Sequence, residues 1–574
     1  MAVSGEGRRN WIVWPAAAAF SLLALAVIHT WPLTVHFGSA LPYYHHPVSG
    51  HEITFLPQGD YLQLLYNLWL FKDALLGNIP LFVNPYEFAV GKEIWDPFNT
   101  QFLPLSAVFV VFALPFGDIA GYNALVFLSY FASGWAGYLL AFYYTRSRMA
   151  GAIAGFALAL FPYRAAQLLG GHPNGFVAFL LPLFVYSLER MLAERKARWG
   201  VVAGLSLGSL GQLEHHLLLY SLVLGGLIVP WRLVNPLDAS PGPPAEQRLA
   251  TRRVAAGEMF FLAAAGGLAG LGVAAKSNTS WIGAVLFVVI GGAALLAAFR
   301  WMTGLVERGD GQADLWFRRA VIAGLLPMGV IGLYGAKIVW PDLRMGPWPA
   351  VVSVGGAVMG LTAAAFASRR EIFDRLRGWV VRVPWAALLK ASVPFLLLAG
   401  ATLAWGWYVR NQNIEQSLAA GGRPLSQVAA YSPVLPDILD PRHPEAERFI
   451  YPGVVLVGLA AWGGWAFRRE RKTVLFAAPL AVSAIVLSFG PNLEPHLPFY
   501  RWLYDYVPIF HYPRVAGRMI HVAAVLLAVL AAYGVLSIER RLGVRAKWAI
   551  WIIVAALVVD FAPAKARGMA LVPG

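Results

Sequence analysis

A carboxylate that opens an amphipathic helix just outside an apolar run is placed to take a proton from a hydroxyl or to hold a divalent cation. Asp60 has that setting. It follows Gly59 and leads into Leu62, Leu65, Leu68, Trp69 and Lys72, which recur at helical spacing. Glu52 supplies a second carboxylate in the same stretch. Asp is also a favoured helix cap, so Asp60 has a purely structural use as well. A second group, Glu214-His215-His216, interrupts apolar sequence, and polar side chains at a membrane edge are costly unless paired or ligated. Asp60, Glu214 and His215 together could hold Mg2+ or Mn2+; alternatively, Glu214, His215 and His216 could satisfy one another as a turn. His172 is a further candidate to tune Asp60. The third group is Arg501, Asp505, His511, Arg514 and Arg518. Arg514 and Arg518 are four apart and would share one face of a helix. Guanidinium groups suit bidentate binding of phosphate, and arginines at a helix end also snorkel to ordinary phospholipid. Tyr431, in a Pro-rich segment, and Trp69 complete the candidate substrate-binding set.

The elements that must position these groups follow from composition. The chain has 574 residues, of which 58% are hydrophobic and 13% charged, with a mean hydropathy of +0.60. A soluble protein would carry about 25% charged residues. Apolar runs of about 20 residues recur along the chain, which predicts an all-α polytopic membrane protein of roughly 15 transmembrane helices. After a first span at Trp11 to Ile28, spans are expected near 119–144, 149–167, 174–190, 199–213, 215–232, 255–275, 280–300, 319–339, 348–368, 385–407, 451–467, 473–490, 515–537 and 546–563. Thr100–Phe116 carries Pro104 and Pro115 and is expected as an interfacial or re-entrant helix. With that placement the basic clusters at 145–148, 189–198, 368–382, 467–472 and 539–547 all fall on the cytoplasmic side. The net charge of +15 is then a topological signal and does not call for nucleic acid. Zero cysteines exclude disulfides, thiolate metal sites and cysteine nucleophiles.

In this topology a large first extracytoplasmic loop, 31–98, carries amphipathic or re-entrant helices. Two more outer loops lie at 408–450 and 491–514. A Pro-rich linker at 234–254 separates an N-terminal module (1–233) from a C-terminal one (255–574). All 12 histidines fall in outer loops or the outer halves of spans. Titratable groups gathered on one face of so apolar a chain point to chemistry or polar-ligand binding there. His45, His46, His51 and Glu52 match no strict zinc spacing. The tail after Asp560 has no evident role.

Several stretches resemble bacterial membrane glycosyltransferases of the GT-C class: HTWPLTVHFGSALP and GDYLQLLYNLWLFKDALLGNIPLFVNPY in the first loop, FPYRAAQLLGGHPNGFVAFLLPL, the YSPVLPDILDPRHP segment, and LPFYRWLYDYVPIFHYPRVAGRM. The resemblance is spread over nearly the whole chain and rests on no strict motif. It implies a multi-pass protein of the bacterial inner membrane, N-terminus cytoplasmic. It also implies transfer of a sugar from a polyprenyl-phosphate donor to a glycan, lipid or protein acceptor at the extracytoplasmic face. The first-loop acid would map to Asp60, and the donor-phosphate arginines to Arg514 with Arg501 or Arg518. Many members pair two acids in that loop, whereas Asp60 stands between Gly59 and Tyr61. A lipid-linked glycan polymerase or ligase would use the same arginines without a carboxylate base. A transporter or flippase would need ionisable groups deep in the spans, and Glu258, Lys337 and Asp560 lie near span ends.

Overall fold

Long apolar runs punctuated by Gly and Pro fold as the helices that this spacing predicts. The structure is a computed structural model. It describes residues 21–31, 33–44, 60–86, 95–96, 101–235, 385–413, 422–441, 445, 447–469, 472–494, 497–506, 508–511, 513–562 and 567–571. The N-terminal set is α1 (Ser21–Thr30), α2 (Asp60–Leu75), α3 (Leu103–Phe116), α4 (Asp118–Thr145), α5 (Arg148–Leu160), α6 (Pro162–Leu169), α7 (Pro173–Val177), α8 (Leu180–Glu194), α9 (Ala197–Leu213) and α10 (His215–Val234). The later set is α11 (Trp385–Asn413), α12 (Leu425–Ala430), α13 (Val454–Phe467), α14 (Lys472–Ser488), α15 (Phe499–Tyr506), α16 (Ile520–Leu542) and α17 (Ala546–Asp560).

Among the described residues, five stretches are long and apolar enough to cross a membrane: Asp118–Thr145, Pro173–Glu194, His215–Leu233, Trp385–Gly406 and Ala516–Asp560. A sixth is reached if α5 and α6, bent by 40° at Phe161, count as one. The expected fifteen are not reached among these residues. The expected spans at 255–275, 280–300, 319–339 and 348–368, and most of the first span, lie outside them. The break at 149–167 has a local cause, because Pro162 has no N–H to continue α5 and instead starts α6. α3, where an interfacial helix was expected, has 14 residues and packs along α4 after a tight reversal at Gly117.

α16 is buried around its whole circumference from Ile520 to Val535 and forms the centre of the bundle, touching α4, α5, α13 and α14. A helix apolar on all sides has no face to give to solvent. Its crossing with α13 is close enough that a Cβ on Gly463 would fall 2.0 Å from the Leu530 carbonyl. α9 meets α11 the same way, where a Cβ on Gly200 would fall 2.2 Å from the Ala391 carbonyl. Small residues at such crossings let backbones approach where lipid gives no hydrophobic drive.

One element departs from the all-α expectation. Ala40–Tyr44 (β1) pairs antiparallel with Arg567–Leu571 (β2), with Pro42 opposite Met569. The tail to which no role was assigned is therefore a strand that ties the chain's end to the first loop. At the end of the bundle away from Asp60, Arg232 on α10 donates from Nε to both Glu189 oxygens at 2.8 Å, and its Nη2 lies 3.1 Å from Thr473 Oγ1 on α14. That buried pair binds the later helices to the N-terminal set.

Candidate active site

Asp60 is the first residue of α2, and its partner is brought by a glycine turn. Between α6 and α7 the chain reverses through Gly170, Gly171 and His172, with the His172 N–H donating to the Gln167 carbonyl at 2.9 Å. Gly171 has φ +81°, and a Cβ there would fall 2.1 Å from Tyr61 Cα. Only glycine fits, both for the left-handed backbone and for the contact with the start of α2. The turn then holds His172 Nδ1 3.0 Å from Asp60 Oδ2. This hydrogen bond, assisted by the charges of His172, Arg514 and Arg518, outweighs partial burial and lowers the Asp60 carboxyl below its ordinary value. The Asp60 side chain stays 56% exposed.

The two arginines that act on Asp60 do not share a helix face as their spacing predicts. Arg514 sits at a bend ahead of the helix, and Arg518 lies in a 3-10 turn, Ala516–Met519, that leads into α16. The turn removes the i, i+4 relation and separates their roles. Arg518 is 12% exposed, with Nη1 3.0 Å and 3.3 Å from the Glu214 oxygens and 2.9 Å from His216 Nδ1. Glu214, 5% exposed, caps α10 by accepting from the His216 N–H, and its Oε1 lies 2.7 Å from His216 Nδ1. Burial alone would push the Glu214 carboxyl up, but Arg518 and His216 hold it well below the usual carboxylate range. Arg514 is 38% exposed, donates from Nη2 to Glu447 Oε1 at 3.0 Å, and lies 4.5 Å over the Tyr431 ring.

The structure thus brings Asp60, His172, Glu214, His216, Arg514, Arg518 and Tyr431 to one end of the bundle. His215 is exposed beside Glu214 and feels Asp96 as well. Other candidates stand apart. Arg501 and Asp505, on α15, lie 3.7 Å from each other, and Arg501 also lies 3.5 Å from Glu494. His511 packs its ring 4.4 Å from Tyr504 and its carbonyl accepts from the Arg423 N–H, so it braces a loop. Trp69 is about two and a half turns along α2 from Asp60, hence on the opposite face, between Tyr66 and Tyr86. Glu52, like His45, His46 and His51, lies outside the described residues. No three His, Asp or Glu side chains among the described residues are grouped to hold a metal ion.

Sequence reasoning left Glu447 and Tyr163 out of the site. Glu447 pairs with Arg514, and Tyr163 lies beside Arg518 with its ring 5.0 Å from that of His521. The FPYR segment carried the only signal for Tyr163, polar groups inside an apolar run; Glu447 was one of several acids in its loop.

No protein-family model matches the chain, and no curated protein does. Among solved structures, it is similar to the oligosaccharyltransferase of Archaeoglobus fulgidus, crystallised as a complex with Zn and sulfate. The TM-score is 0.35 at 13% identity, over 95% of this chain and 53% of that one. The chain spans about half the length of that protein. At this score the likeness carries no argument about activity.

Proposed function

We propose that the protein is an integral membrane glycosyltransferase that moves a sugar from a polyprenyl-phosphate donor to an acceptor hydroxyl at the membrane face bearing Asp60, the extracytoplasmic face. The observation that carries this reading is the meeting of an exposed carboxylate with a partly exposed arginine. Asp60 and Arg514 come from opposite ends of the chain to within each other's electrostatic reach. An anion-binding cation beside a proton acceptor is what displacement of a phosphate leaving group by a hydroxyl needs.

In the proposed step the acceptor oxygen attacks the anomeric carbon, with inversion. Its proton passes to Asp60, and the bond from that carbon to the phosphate oxygen breaks with its electron pair leaving on the phosphate. Arg514 meets the growing charge, with Tyr431 beneath it to fix the guanidinium plane. Arg518 and Glu214 form the floor and position the chain at Arg514. A base with a lowered pKa is a weak one. Donor phosphate would offset the Arg514 charge, so Asp60 becomes a stronger base only when the donor is bound.

A panel of polyprenyl-phosphate sugars tests the reading. Release of lipid phosphate by purified protein is expected for at least one donor, and inertness toward every donor would sink it. Arg514→Gln is expected to raise the donor KM roughly 10- to 100-fold, the equivalent of a charged hydrogen bond at about 1.5–3 kcal/mol. Melting should hardly change, because the Glu447 pair is partly exposed. An unaltered donor KM would remove Arg514 from the phosphate site.

The pH profile gives a separate check. Asp60 is lowered, so in the wild type the acid limb of kcat/KM belongs below the ordinary aspartate value of about 3.9. His172→Ala removes the largest cause of the lowering. The limb should then move to higher pH, and a limb that stays in place would uncouple His172 from the base.

A further inference from the structure

Arg164, on α6, is 1% exposed. Its Nη1 donates to the Ala159 carbonyl at 2.6 Å and its Nη2 to Ser129 Oγ at 2.7 Å, and its guanidinium lies 4.7 Å over the Tyr130 ring. All three partners are neutral. No carboxylate among the described residues pairs with it, and the group that supports its charge is the neutral Tyr130. A buried charge without a counter-charge is costly, on a scale that neutral hydrogen bonds do not offset. Glu214, whose charge reaches His521, is already held by Arg518.

Beside Arg164 is a cavity of about 20 Å3, also lined by Ser133, Leu158, Phe161, Pro182, His521 and Val525. Three polar atoms of its lining residues have no hydrogen-bond partner: Arg164 Nε, Ser133 Oγ and His521 Nε2. Buried polar atoms are nearly always satisfied, and three of them around one small space imply an occupant. The space suits one water-sized body, since a cavity needs about 10–15 Å3 for that. The Arg164 Nε–H can only donate, and the serine hydroxyl and the imidazole can each donate as well. A water could meet all three, accepting from two and donating to the serine oxygen or the imidazole, but it would leave the charge in place. A halide accepts from all three and cancels it.

We propose that this cavity is a binding site for a small monovalent anion of the chloride class, held by Arg164, Ser133 and His521. The apolar remainder of the wall excludes anions that keep a hydration shell, such as sulfate. His521 follows Arg518 on the way into α16, and Arg164 adjoins Tyr163. The anion would therefore fix the layer beneath the two arginines of the candidate active site. The proposal does not depend on the reaction assigned above.

The test uses the purified full-length protein in lipid nanodiscs, titrated with sodium chloride against sodium gluconate at constant ionic strength. Melting temperature and chloride-35 line width are the readouts. A saturable rise in Tm with chloride, matched by bromide and absent with sulfate, is expected, together with line broadening that bromide relieves. Arg164→Met should abolish both effects. Should that variant not fold, Ser133→Ala decides, with an expected shift of the chloride midpoint of roughly fivefold for one lost hydrogen bond. Equal melting in chloride and gluconate would overturn the site in favour of a water. An unchanged chloride midpoint in Ser133→Ala would overturn its assignment to this cavity.

Discussion

Replacing Asp60 with Asn leaves a folded protein whose turnover falls roughly 100- to 10,000-fold, the usual worth of a positioned general base. Two observations set that expectation apart from a stability effect. The side chain is 56% exposed, so Asn loses little by way of burial. Asn also keeps an oxygen that can accept from His172 Nδ1, so the turn at Gly171 and the start of α2 need not move. What Asn lacks is the capacity to take a proton, and the negative charge that faces Arg514 and Arg518. Donor binding should therefore hold or tighten as turnover falls, because the bound phosphate no longer faces a carboxylate. Parallel losses in donor affinity and turnover would instead make Asp60 a ligand-binding group. Full turnover with an intact fold would remove the base altogether and favour a lipid-linked glycan polymerase or ligase, which needs the arginines alone.

Much of this site is legible in the sequence, because polar residues are rare in an apolar chain and each marks a place where burial costs must be met. Asp60, His172, Glu214, Arg514 and Arg518 all stand out in that way, and the apolar runs that separate them have the length and spacing of the helices that form. Their partners are not legible. Nothing local in GQLEHH tells whether Glu214 faces a cation, a metal or its own histidines, and its partner Arg518 lies on a different element far along the chain. The i, i+4 spacing of Arg514 and Arg518 misleads for a definable reason: the helix starts later, after a 3-10 turn, so that periodicity has no meaning at Arg514. Gly171 reads as an ordinary turn residue until the close approach to Tyr61 is seen. The β1–β2 pair is likewise invisible, since two five-residue segments so far apart in sequence carry no pattern strong enough to announce a strand.

The largest stability effect is expected at the floor of the site. Arg518→Met leaves the Glu214 carboxylate buried without its cation, and breaking a buried pair from one side costs about 3–5 kcal/mol. Glu214→Gln strands the guanidinium and should cost a comparable amount. The double variant, Glu214→Gln with Arg518→Met, leaves two neutral side chains of similar size. It should melt well above the sum of the single losses, because a buried ion pair is often worth little more than its neutral replacement. The pH dependence separates the variants further. In the wild type the Glu214 carboxyl is held low, so its contribution is fully present above the unfolded glutamate value of about 4.3. It is lost only as pH falls toward the depressed value. In Arg518→Met burial is opposed only by the neighbouring His216 and His215, so the carboxyl moves up from its wild-type value. That variant should gain stability relative to the wild type as pH falls from 7 to 5, since protonation removes the uncompensated charge. Melting curves of the four proteins at the two pH values complete the cycle. Additive losses with no difference in pH response would show that Glu214 and Arg518 do not hold each other. The floor on which Arg514 is positioned would then have to be sought elsewhere among the groups that meet there, His216 and Tyr163 first.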